Sequence, residues 1–180
     1  MRIGLGREGL LEEREVREIV ARAAAALDRR WRRILVLVPD GTRTMPLPFL
    51  AGLLEEELAP VTDALDFLVA LGTHRPMSEE QLSRLFGRPV RNGRMGGSRV
   101  FNHSASPESL TNVGTIPASE VAEITGGLLS EEVPVRVNRL VLDYDVTLVL
   151  GPVFPHEVVG FSGGNKYFFP GIAGPEVINL

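Results

Sequence analysis

Ile34-Leu35-Val36-Leu37-Val38-Pro39-Asp40-Gly41-Thr42-Arg43 is the stretch that decides the fold. Five apolar residues run without a polar break, and Ile34, Val36 and Val38 are β-branched. A short continuous apolar run bounded by turn residues reads as a strand buried on both faces, the kind found inside parallel sheets. Pro39 ends it and Asp40-Gly41 turns the chain. Working outward, Val16, Ile19, Val20, Ala23 and Leu27 recur at helical spacing, which predicts a helix over 12–30. Residues 48–59 read as a helix opening near a proline. Residues 64–71 repeat the buried-strand pattern and leave through Gly72-Thr73-His74-Arg75-Pro76. Ser78-Glu79-Glu80-Gln81 is a capping box that opens a short helix ending at Phe86.

The second half is less regular. Residues 90–97 read as a loop, 100–103 and 110–116 as strands, and 121–127 and 133–137 as β-leaning. Residues 138–143 suit a short helical turn. Val146-Thr147-Leu148-Val149-Leu150 reads as another buried strand, and the glycine-rich stretch beyond it as a strand-to-helix crossing. Strands alternating with helices predict an α/β fold: a mostly parallel, Rossmann-like sheet with helices on both faces and some extra β structure in the middle. In such sheets ligands sit beyond the carboxyl ends of the strands. That rule selects the loops 39–43, 72–76 and 151–164.

The composition narrows the function. The length of 180 residues suits one domain, or one domain and a fragment of another; a single domain, 1–180, is expected, burying roughly 70% of its unfolded surface. Net charge is −4 with both signs interspersed. The arginines at 29, 30, 32 and 33 flank Trp31 at a predicted helix end, where cations favour the helix dipole, so no nucleic-acid partner is expected. There is no cysteine, which excludes disulfides, thiolate metal sites and a cysteine nucleophile. No apolar run approaches the roughly 20 residues that span a bilayer, and Met1-Arg2-Ile3-Gly4-Leu5-Gly6 lacks a signal-peptide core. A cytoplasmic protein without a membrane partner is expected.

Of the three histidines, His74 and His156 fall in the selected loops, each after a strand. Imidazole titrates nearest neutrality, so each is a candidate general acid or base, or else a strand cap bonded to backbone. Two at one sheet edge, beside Asp40, Arg43, Arg75 and Lys166, favour catalysis. His103 lies in an irregular region and reads as structural. Arg43 suits a carboxylate or phosphate, and Asp40 could orient that arginine or an imidazole, although Pro-Asp-Gly is also ordinary turn chemistry. Gly160-Phe161-Ser162-Gly163-Gly164-Asn165-Lys166 is not a Walker A loop, since the spacing differs and Tyr167 stands where Ser or Thr would bind magnesium. Its glycines let backbone amides approach an anion. Lys166 reads as the cation, as a nucleophile, or as a surface lysine at a helix start, where the dipole opposes it.

Together these loops resemble the amino-terminal domain of the nickel-pincer lactate racemase family. Asp40-Gly41-Thr42-Arg43 resembles its Asp-x-Thr-Arg loop, and Gly72-Thr73-His74-Arg75 its Gly-Thr-His-Arg loop. His156 through Lys166, with Pro170-Gly171, resembles its His-x-x-x-Gly-x-Ser-Gly-Gly-x-Lys signature. The order of the motifs, each after a strand, is more specific than any one of them. The resemblance is weakest over 88–132.

The resemblance implies a racemase or epimerase of 2-hydroxy acids working by reversible hydride transfer. By the same resemblance, the cofactor would be a nickel-bearing pincer pyridinium mononucleotide joined covalently to Lys166. Ser162, Gly163, Gly164, Asp40, Thr42 and Arg43 would line it, and maturation proteins would have to load it. His74 and His156 would be the catalytic pair on opposite substrate faces, with Arg43 and Arg75 binding substrate. No metal ligand is assigned within the chain. Family members carry a second, carboxyl-terminal domain and a nickel-ligating histidine beyond the stretch that ends here. The chain alone is therefore expected to be inactive, and to self-associate through Phe161, Phe168 or Phe169. The bulky Tyr167-Phe168-Phe169 favours a 2-hydroxy acid other than lactate. The alternatives are a non-catalytic mononucleotide- or anion-binding module and one half of a split enzyme.

Overall fold

The computed structural model describes residues 9–157 and 160–178; residues 1–8, among them the stretch Met1 to Gly6 read above, and residues 158, 159, 179 and 180 lie outside the described residues. A five-stranded sheet forms the centre. Its strands are β1 (Arg33–Pro39), β2 (Ala64–Ala70), β3 (Arg94–Met95), β4 (Ser98–Asn102) and β7 (Val146–Val149), in the order β3-β4-β2-β1-β7. β1 pairs in parallel with both β2 and β7, β2 pairs in parallel with β4, and β3 is an antiparallel edge. The parallel centre is where the sequence is continuously apolar: Ile34 to Val38 and Phe67 to Val69 are fully buried.

One face is covered by α1 (Glu13–Ala25), α2 (Leu47–Leu58) and α3 (Glu79–Phe86). Ala24, Leu47, Ala51, Leu58, Leu82 and Phe86 meet Ile34, Val36, Val38, Phe67 and Val69 there. Phe67 and Phe86 pack edge to face with ring centroids 5.3 Å apart. The capping box that opens α3 forms as its residues dictate: Ser78 accepts from the Gln81 amide, and Gln81 accepts from the Ser78 amide. Gly87, at φ 69°, ends the helix in the left-handed region.

The other face carries helical segments too, but they are 3₁₀ turns, 139–142 and 164–167. Tyr144, Tyr167, Ile172 and Val137 pack there onto Leu35, Leu37 and Leu68. A separate antiparallel pair of β5 (Leu110–Ile116) and β6 (Val133–Asn138), joined through a helix, flanks this face. The carboxyl-terminal segment threads along β6: the Asn138 amide donates to Ile172, and the Gly174 amide donates to Arg136. A four-residue helix, α5 (Pro175–Ile178), follows.

Three local expectations are corrected. Residues 121–127 are not β structure; they belong largely to helix α4 (Ala118–Ile124), with Gly126 and Gly127 at positive φ after it. Residues 90–97 are not wholly loop, because β3 pairs with β4 within them. The stretch after β7 is not a strand-to-helix crossing. It is a hairpin of β8 (Phe154–His156) and β9 (Gly160–Ser162), followed by the four-residue 3₁₀ turn that holds Lys166. Such a turn has no macrodipole of consequence, so no helix dipole opposes Lys166.

Candidate functional site

The chain passes from β1 to β2 and β4 on one side of the sheet, then crosses to β7 on the other. The loops leaving β1 and β7 therefore diverge, which opens a crevice beyond their carboxyl ends. The three motifs meet at this edge. A cavity of about 180 Å³ is lined by Asp40, Thr42 and Arg43 from the first loop, by Gly72, Thr73 and His74 from the second, and by Ser162, Gly163 and Lys166 from the third. Tyr167, Pro170 and Gly171 add to its wall, with Pro39, Ala70 and Leu71 from the strand ends.

Asp40 is the hub. Its side chain is 10% exposed. Oδ1 accepts from the Thr42 amide at 3.1 Å and the Thr42 hydroxyl at 2.5 Å, and Oδ2 lies 2.5 Å from Nδ1 of His74. Burial alone would raise the Asp40 carboxyl, but the bonds from Thr42 and His74 outweigh it and hold the group below its ordinary value. An ionised carboxylate only accepts, so Nδ1 of His74 carries the proton and Nε2 is left as the working nitrogen. The His74 side chain is 53% exposed, so Nε2 is within reach of a ligand.

Lys166 is half-buried. Desolvation first, and then the positive charge of Arg43, lower its amine from the ordinary value. A lysine so placed is a better nucleophile, and two neighbouring cations call for an anion between them. The Arg43 guanidinium lies 5.3 Å from the centre of the Phe154 ring. That contact joins the first loop to the β8–β9 hairpin. Along β8, Phe154 and His156 share a face, and Phe154 stands opposite Ser162. The hairpin thus turns Phe154, His156 and Ser162 to one side and Phe161 to the other, where it is 65% exposed.

Not every candidate meets in the cavity. His156 shares the inner face of the hairpin with Ser162, but neither it nor Gly164 is among the described residues lining the space. Arg75 faces an adjoining groove. His103 is structural as expected: buried, its Nε2 donates to the Ala173 carbonyl at 3.2 Å, and Asn138 lies 3.2 Å from its Nδ1. Phe168 packs into the second core, whereas Phe169 is 40% exposed.

Sequence reasoning missed the structural roles of Gly151 and Tyr167. The Tyr167 ring packs so tightly on Gly151 that any Cβ there would collide with its hydroxyl. Burial, partly opposed by Arg43 and assisted by Asp40, pushes the Tyr167 phenol up to about 12, so it stays protonated at neutral pH. The signal lay in the glycine that directly follows the apolar run of β7. Gly163, at φ 93°, is held against Pro152, whose carbonyl would lie 2.6 Å from an added Cβ.

A desolvated amine, a nearby guanidinium and glycine-flanked backbone suit the attachment and anionic part of a mononucleotide. Among the described residues, no cluster of three His, Asp or Glu could hold a bare metal ion. No described helix is long and apolar enough to cross a membrane.

A sequence model described as "Lactate racemase N-terminal domain" matches residues 12–180. The lactate racemase of Thermoanaerobacterium thermosaccharolyticum is 29% identical over 150 residues, covering 82% of this chain and 31% of that protein. The lactate racemase of Lactiplantibacillus plantarum is 29% identical over 154 residues, covering 84% of this chain and 32% of that protein. This chain thus spans about a third of the length of these curated relatives. Among solved structures, a Thermotoga maritima protein superposes with a TM-score of 0.78 at 38% identity, over 91% of this chain and 39% of that one. The lactate racemase apoprotein from T. thermosaccharolyticum superposes with a TM-score of 0.68 at 26% identity, over 88% of this chain and 37% of that one.

Proposed function

The chain belongs to the lactate racemase N-terminal domain family, and from that premise we propose that it is the cofactor-carrying domain of a nickel-dependent 2-hydroxy acid racemase or epimerase. The observation that supports this reading is the convergence of Asp40, Arg43, His74, Ser162 and Lys166 on one cavity at the switch point of the sheet. When bound, the pincer pyridinium group supplies a reversible hydride acceptor. Lys166 would hold it covalently through its amine, and Ser162, Gly163, Gly164 and Thr42 would bind its mononucleotide portion.

The residues of the chain bind the substrate and move the protons. Arg43 takes the carboxylate of the substrate in a bidentate grip, with Arg75 beyond it. Asp40 fixes His74 as the Nδ1–H tautomer, so Nε2 accepts the hydroxyl proton on one face of the substrate carbon. His156, on the inner face of the hairpin, serves the other face. Inverting a stereocentre through a planar keto acid requires one acid–base group per face, each titrating near the working pH. A carboxyl-terminal partner domain would close the cleft.

Intact mass measured on protein co-expressed with the cofactor-making enzymes tests the reading. An adduct is expected that disappears in Lys166→Ala. Unmodified protein that still binds a simple mononucleotide would identify a non-catalytic binding module instead. Racemisation gained only on adding a second polypeptide would identify half of a split enzyme.

A further inference from the structure

The Asp40–His74 pair is a ridge with space on both sides. Toward Lys166 lies the cavity of about 180 Å³, and on the far side a groove of about 730 Å³. The two share Asp40, Thr42, Arg43 and His74 as lining residues, so a ligand in one reaches the other without leaving the surface. A three-carbon hydroxy acid with its carboxylate on Arg43 leaves the groove empty. A volume in this range is that of a site for a larger molecule.

The groove has a definite chemistry. Met45, Met77 and Leu85 form part of its wall, and Arg75 and Arg84 stand on it beside Arg43. Asp40 is its only acidic lining residue among those described, and that carboxylate is already committed to Thr42 and His74. Arg84 meets Glu80 at 3.4 Å, but both side chains are largely exposed, so the pair competes weakly with a ligand. Methionine and leucine side chains accommodate a methylene chain, and guanidinium groups bind a carboxylate or phosphate at its end.

Resting on the racemase reading of the Lys166 cavity, we propose that this groove is a substrate subsite, and that the substrate class is a 2-hydroxy acid of four or more carbons whose far end carries a second anionic group. Arg43 holds the carboxylate next to the reacting carbon. The methylene chain passes His74, and Arg75 with Arg84 receive the distal anion.

Isothermal titration of the chain with 2-hydroxyadipate and with 2-hydroxyhexanoate compares a diacid and a monoacid of equal length. The diacid is expected to bind about tenfold more tightly, the magnitude of one charge-assisted contact. That ratio should fall to near one in the double variant Arg75→Gln, Arg84→Gln, with circular dichroism unchanged. Arg84→Glu alone should lower it as well. Equal affinities in the unaltered chain overturn the proposal, as does a ratio indifferent to the arginines. So does a double variant that loses affinity for nicotinic acid mononucleotide while keeping its diacid preference, because the groove would then serve a nucleotide phosphate. The two readings fail separately: a missing Lys166 adduct does not alter the diacid ratio, and a ratio of one does not remove the adduct.

Discussion

Gly151 and Tyr167 form the tightest steric pair at the site, and neither position is interchangeable. Gly151→Ala places a methyl group where the Tyr167 hydroxyl sits, so the ring or the strand exit must move. A loss of about 1–3 kcal/mol in urea unfolding is expected, as for other overpacked positions. Tyr167→Leu opens the space, so the cost of Gly151→Ala should shrink by about 1 kcal/mol or more in that background. Additive costs would mean that the two residues do not interact. His103 supports a pH prediction. Burial, slightly opposed by its bond to Ala173, lowers the ring from its ordinary 6.5, so the unfolded chain takes up the proton first. Stability from the neutral ring is complete above that value and declines as pH falls below it, at up to about 1.4 kcal/mol per pH unit until the folded group titrates. Comparing denaturant midpoints at about pH 7.5 and 5.5, His103→Gln should flatten the decline; parallel curves for the two proteins would refute the assignment.

At the scale of elements, the first two loops were legible and the third only as a motif. β1 and β2 could be read because burial on both faces demands continuous apolar runs, and the loops after them inherit their position from the strands. The sequence over α4 reads as β structure because Val121 and Ile124 suggest a strand. In the folded chain only Val121 is buried and Ile124 is exposed, so the helix rests on Ala, Glu and Ser propensity after Pro117 rather than on an apolar stripe. The β8–β9 hairpin was hidden because its strands have three residues each, too short for alternation to register. Asn102, at the end of β4, makes a reciprocal pair with Met77: its Oδ1 accepts the Met77 amide and its Nδ2 donates to the Met77 carbonyl. That clamp fixes the far end of the loop that carries His74. Asn102→Ala leaves both backbone groups unpartnered and should cost about 1–3 kcal/mol. Asn102→Asp, which keeps one acceptor, should cost less. Thermal or urea unfolding checks the order, and Asn102→Ala without effect would show that the loop is held elsewhere.

For the molecule as a whole, the two sheet faces explain what could be inferred and what could not. The α-helical face follows from periodicity, whereas the opposite face is assembled from 3₁₀ turns and the segment of Ile172 and Ala173, long-range pairings that leave no local period. The same face-and-edge logic locates the exposed apolar surface. Because β9 alternates, packing Ser162 inward forces Phe161 outward, and Val153 and Phe169 are also exposed, at 68% and 40%. Apolar side chains standing free beside a cleft favour association. Sedimentation velocity over increasing concentration should show reversible self-association, accompanied by binding of an apolar dye. Phe161→Glu should shift the chain toward monomer and reduce dye binding, while its intact inner face leaves the spectroscopic signature of folding unchanged. An unaltered chain that stays monomeric throughout and binds no dye would show that these aromatic residues are no more adhesive than ordinary surface.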